Sequence, residues 1–127
     1  MSGKKVTTER APKPLGPYSQ AIIGGNTVYT AGVVGIDPVT GQMVSGGIRE
    51  QTKEVLESLK AILEAAGTSL QNVVKVTVFL KDAAMFAEMN QVYSDYFGET
   101  RPARSTVVTG MVRPDILVEI EAVATIS

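Results

Sequence analysis

The chain has 127 residues, 44% hydrophobic and 20% charged, with a net charge of −1, so a single folded domain spanning 1–127 is expected and a disordered chain is not. It contains no histidine, cysteine or tryptophan, which removes thiolate nucleophiles, disulfides and soft-metal sites and leaves arginine, carboxylates, hydroxyls, amides and water for any chemistry. Its lysines and arginines are scattered and no apolar run reaches membrane length, so nucleic acid and membrane are not expected partners, and a soluble cytoplasmic protein without a metal or cofactor is.

The first segments read as strands. "KKVTTE" fits a short edge strand, and "PKPLGP" supplies turn residues before "YSQAII". The stretch "GGN" then separates that run from "TVYTAGVVGI", a hairpin signal. Pro38 and Gly41 mark a further turn in "DPVTGQMV". From Gly47 the period changes: Ile48, Val55, Leu56, Leu59, Ile62, Leu63 and Ala66 recur at helical spacing, and Gly67 stands where a left-handed cap is expected. "VVKVTVFL" at 73–80 is a β-branched run suited to a central strand.

Asp82 is a natural N-cap for a second helix, with Gly98 as its stop. The inner face of that helix is expected to carry Met85, Phe86, Met89, Val92, Tyr93, Tyr96 and Phe97. Strands at about 103–108 and 117–126 finish the chain. The order implies an α+β domain with one mixed sheet and both helices on one face. Nothing remains to cover the other face, so self-association is expected.

Two residues stand out for chemistry. Arg104, just inside a strand after Pro102, is either a surface ion pair or a planar cationic fork aimed at a carboxylate. Glu119 alternates with Glu121 and Val123 on one strand face. That face is either solvated or partly covered, and cover would favour the protonated carboxyl that a general acid/base needs. A plain hairpin centred near Met111-Val112 would set Arg104 opposite Glu119. Asn90 is an amide beside an apolar stripe, Tyr18 an amphipathic rim residue, and Gly32 a strand interruption marking either a bulge or a place where a ligand approaches the backbone closely.

Taken in order, "GPYSQA" (16–21), "TAG" (30–32), "DPVTGQMVSG" (37–46), "ILEAAG" (62–67), "NVVKVTVFLKD" (72–82), "MNQVYSDYFG" (89–98), "RPARS" (101–105) and "VEIEAVA" (118–124) resemble the reactive intermediate deaminases, the RidA/YjgF family. The resemblance implies a chorismate-mutase-like fold, assembled as a homotrimer around a central β-barrel with clefts between subunits. It also implies hydrolysis of enamines and imines such as 2-aminoacrylate and 2-iminopropanoate to 2-oxo acids and ammonia, without a cofactor. Pyridoxal-phosphate dehydratases that release these intermediates would be functional partners. By the same resemblance Arg104 would hold the substrate carboxylate and Glu119 would position water and shuttle protons. Tyr18, Asn90 and the backbone at Gly32 would line the cleft. A non-catalytic metabolite-binding trimer is the alternative, and a ribonuclease or translation inhibitor a further one. Ala31 and Val33 stand where many relatives have serine and glutamine, Thr106 where some have cysteine, and Arg113 where leucine is frequent.

Overall fold

The computed structural model describes residues 3–126. Strands β1 (Lys4–Val6), β2 (Ala21–Gly24), β3 (Thr27–Thr30) and β4 (Val33–Val34) precede helix α1 (Ile48–Ala65). Then come β5 (Val73–Leu80), helix α2 (Phe86–Phe97), β6 (Ala103–Val108) and β7 (Val118–Thr125). The sheet runs β1-β2-β3-β7-β5-β6, and β4 also pairs with β7. Strands β4 and β5 flank β7 and both run antiparallel to it, while β6 runs parallel to β5. The chain therefore makes two crossovers in the same direction across the sheet, through α1 and then α2. Crossovers of one hand and one direction place both helices on one face.

Local chemistry explains the boundaries. Gly25, at φ 61, takes the left-handed first position of the two-residue loop between β2 and β3, as a II′ turn requires. The Asp37 carboxylate accepts from the Val39 and Thr40 amides at 2.7 and 3.3 Å, closing the next turn. Helix α1 ends as its sequence predicts: Gly67 lies at φ 88, its N–H reaches the Glu64 carbonyl, and the Thr68 N–H reaches Leu63. Every α1 residue expected to face inward is buried, and Val76, Val78, Leu80, Val118, Ile120 and Ala122 meet them from the sheet.

Helix α2 starts later than expected and stops at Gly98 as expected. Asp82 caps a 3-10 turn at Ala83–Met85, accepting from the Ala84 N–H at 2.8 Å, and the α-helix starts only at Phe86. Phe86 is 43% exposed, lying over Arg104 of the edge strand β6, while Met89 of the same turn is buried in the core. Gly98 is right-handed at φ −60. The reversal falls instead on Arg101, at φ 48, whose N–H and Nε hold the Phe97 and Gly98 carbonyls.

The plain β6–β7 hairpin that would have set Arg104 opposite Glu119 does not form. Strand β5 lies between them, pairing Val76 with Arg104 on one side and Phe79 with Glu119 on the other. Val76 points to the helices and Phe79 away from them, so Arg104 and Glu119 lie on opposite faces of the sheet. The helix-free face carries Ile22, Tyr29, Phe79, Val107 and Val123 among charged and hydroxyl side chains, and Tyr29 and Val107 are 52% and 42% exposed.

Two buried glutamines fasten what the sheet leaves loose. Gln20 accepts from the Thr8 N–H at 2.7 Å through Oε1, and its Nε2 donates to the carbonyls of Thr8 (3.1 Å), Ala11 (3.3 Å) and Pro12 (2.9 Å). Gln51 of α1 donates to the Asp115 carbonyl at 2.8 Å and accepts from the Leu117 N–H at 2.9 Å. Glycine at position 35 lets the chain after β4 approach α1 here, since a Cβ would lie 3.1 Å from the Gln51 Cα. Substituting Gln20→Ala leaves these backbone groups unpaired and is expected to cost about 2–3 kcal/mol. A lower urea midpoint at unchanged slope checks it, together with faster amide exchange at Thr8.

Candidate active site

Strand β7 carries Glu119 on the helix-free face, and the neighbouring strand bends to receive it. Between the pairs Tyr29–Val123 and Val33–Ile120, the β3–β4 side has one residue more than β7, a bulge at Thr30-Ala31-Gly32. The Thr30 hydroxyl replaces a ladder carbonyl there, accepting from the Ala122 N–H at 3.0 Å. A Cβ at Gly32 would collide with the Glu119 carboxylate, so only glycine leaves room for that side chain. The expected bulge occurs, and the group lying against the Gly32 backbone is the Glu119 side chain.

Tyr18 stands on the loop before β2, half exposed, its hydroxyl oxygen accepting from the Leu15 N–H at 3.3 Å. With Gly32, Glu119, Val34, Ile36 and Ile116 it lines a cleft of about 490 Å³. These mostly apolar walls raise the Glu119 pKa above its ordinary 4.5 through burial, and the Glu121 charge adds to the rise. No hydrogen bond among the described residues offsets that burial.

Arg104 sits in a separate pocket with Asn90, Tyr93 and Phe97. Its guanidinium lies 4.6 Å from the Tyr93 ring centroid and 5.7 Å from that of Phe86. Nη1 donates to Asn90 Oδ1 at 2.7 Å. Ion pairs among the described residues join Arg10 to Glu64, Arg49 to Glu88 and Arg113 to Asp115; none engages Arg104. A buried hydroxyl on Tyr93 has no hydrogen-bond partner, and burial raises its pKa, offset in part by the Arg104 charge. Asn90 and Tyr93 are three apart on α2, which brings both to one side of the arginine.

Of the five predicted site residues, the structure brings Tyr18, Gly32 and Glu119 into one cleft and Asn90 and Arg104 into another. Sequence reasoning missed Tyr93 and Phe86 as the aromatic seat of Arg104, because at helical spacing they read as core. It also missed Gln20 and Gln51. The available signal for Gln51 was an amide four before Val55 on the apolar stripe of α1. Among the described residues no group of His, Cys, Asp or Glu could hold a metal, and no helix is long and apolar enough to cross a membrane.

The chain as a whole has matches among known proteins. A family model described as Endoribonuclease L-PSP covers residues 8–126. A RutC family protein of Pyrococcus abyssi is 57% identical over 124 residues, 98% of each chain. The 2-iminobutanoate/2-iminopropanoate deaminase of Homo sapiens is 43% identical over 119 residues, 94% of this chain and 87% of that one. The crystal structure of E. coli TdcF with bound serine superposes with a TM-score of 0.91 at 38% identity, covering 98% of this chain and 99% of that one. The chain belongs to the Endoribonuclease L-PSP family, the RidA/YjgF proteins.

The Glu119 environment has a measurable sign. With its carboxyl raised in the folded state, the native chain binds more protons than the unfolded chain between the two pKa values. The ionised form thus opposes folding, fully above the folded pKa and not at all once pH falls below the ordinary value. Glu119→Gln is expected to raise Tm at pH 7, with the gain shrinking as pH falls toward about 4.5. Thermal denaturation of both proteins across that range checks it.

Proposed function

We propose that the protein hydrolyses reactive 2-imino acids and their enamine tautomers to 2-oxo acids and ammonia, in clefts formed between protomers. The observation that carries this reading is Arg104: a cation seated on Tyr93, oriented by Asn90 and left without a carboxylate among the described residues. Such a fork is ready to take a small organic acid by two parallel hydrogen bonds. The human relative named as an imine deaminase and the bacterial relative solved with serine support a small amino-acid-like ligand.

The chemistry needs no strong nucleophile. An imine carbon is already electrophilic, so alignment of acid, water and proton carrier suffices. Glu119 takes a proton from water as its oxygen bonds to the imine carbon and the C=N π pair moves to nitrogen. The nitrogen gains that proton, giving a carbinolamine. A second proton converts the nitrogen into a leaving group, the C–N bond breaks, the hydroxyl proton departs and ammonia leaves with the 2-oxo acid. No electrons are gained or lost overall. A carboxyl raised toward neutrality exchanges protons in both directions, which is what the two steps require.

Arg104 and Glu119 occupy opposite sheet faces, so a complete site takes Arg104 from one copy and Tyr18, Gly32 and Glu119 from the next. That contact is head-to-tail, and head-to-tail contacts give a closed ring where the rotation between copies closes. Three copies joined through their helix-free faces into a barrel would cover Tyr29, Phe79 and Val107. The family description also names a ribonuclease. The scattered cations and the absence of histidine fit a small acid better than a polyanion.

Decay of the imine made from alanine by an amino-acid oxidase tests this reading. The wild type is expected to accelerate decay, and Arg104→Ala to lose about 2–4 kcal/mol of transition-state binding. No acceleration by wild type ends the proposal and leaves a metabolite-binding protein, recognised by a rise in Tm with 2-oxo acids and no turnover. The shared site has its own readout. Arg104→Ala and Glu119→Gln chains, each inactive alone, are expected to regain up to about a quarter of wild-type activity when unfolded together and reassembled in equal amounts.

A further inference from the structure

Arg113 is the residue that the reading above leaves unused. It lines the same cleft as Tyr18, Gly32 and Glu119, on the stretch between β6 and β7. Its Nε and Nη2 donate to the two oxygens of Asp115 at 3.0 and 2.6 Å, a fork-to-fork pair. Nη1 has no hydrogen-bond partner among the described residues.

A surface arginine paired two residues along the chain ordinarily does little. Here the segment beneath it is held from several sides. Buried Gln51 binds the Asp115 carbonyl and the Leu117 N–H. Lys81 donates through Nζ to the Pro114 carbonyl at 2.5 Å, and its N–H reaches the Leu117 carbonyl at 3.0 Å. The Ile116 N–H closes a turn onto the Arg113 carbonyl at 3.3 Å. A charged fork is thus fixed at the wall of an otherwise mostly apolar cleft by bonds that run back to the core helix. Preorganisation of this kind reduces the ordering cost of binding. Of the Arg113–Asp115 pair, only the arginine lines the cleft beside Glu119.

We infer that Arg113 is a specificity-determining residue that selects 2-imino acids bearing a second carboxylate, binding that distal group through its free Nη1 edge while Arg104 of the adjoining copy holds the first. This rests on the deaminase reading. It adds that the preferred substrates arise by two-electron oxidation of acidic amino acids, or by elimination of water from their β-hydroxy derivatives.

The test compares the imines of aspartate and alanine, each made in situ by an amino-acid oxidase, and reads the ratio of their kcat/KM values. Arg113→Leu is expected to lower the aspartate-to-alanine ratio by roughly ten- to a hundredfold, as loss of a charge-assisted contact does, mainly through KM. Arg113→Lys is expected to restore part of it, and circular dichroism confirms that each variant is folded. A ratio unchanged in Arg113→Leu overturns the inference, as does a wild type that accelerates the alanine imine but not the aspartate imine; both leave the deaminase reading standing. A wild type that accelerates neither ends both proposals.

Discussion

The passage of β5 between β6 and β7 is the constraint on which the rest turns. It forces the two side chains with the most chemistry onto opposite faces of one sheet, although they lie fifteen residues apart in the chain. A single copy therefore holds two half-sites facing different ways. The same threading leaves β6 as an edge strand and one sheet face without helices. An unpaired edge and an uncovered face are liabilities for an isolated domain, and association of like copies, as proposed above, would answer both. The proposed assembly and the proposed function thus both rest on one topological feature.

The two half-sites use opposite electrostatic means. Around Arg104 the protein supplies rings and an amide, which steady a cation without neutralising it. Around Glu119 it supplies apolar walls and a second glutamate, which make negative charge costly. One site wants an anion brought to it and the other wants a proton. A small acid that must be protonated and hydrated in the same place satisfies both, without the histidine or cysteine that such work commonly uses.

Much of this was readable before any coordinates. Helix α1 with its glycine cap, the Gly25-Asn26 hairpin and the burial alternation of β7 follow from local period and turn chemistry, and all are present. What local pattern misjudged was pairing between β6 and β7, because insertion of a strand from earlier in the chain leaves no mark on the intervening residues. The end of α2 was placed correctly, with Gly98 as its C-cap. Gly98 has the composition of a stop, but the left-handed residue is Arg101, held there by its own side chain on the Gly98 carbonyl. Arg104 and Glu119 could be found by type and position, whereas Tyr93 could not be told from core until the arginine was seen lying on its ring.

Gln20 and Gln51 have a consequence for how this scaffold can diversify. Each grips its loop through peptide N–H and C=O groups alone. A clamp that reads only main chain is indifferent to the side chains mounted on it. Residues such as Leu15 and Val112, which project from those loops, can then be exchanged without unfastening them. The frame is in this sense evolvable: new ligand tastes can be tried at the rim while the reacting centre stays put.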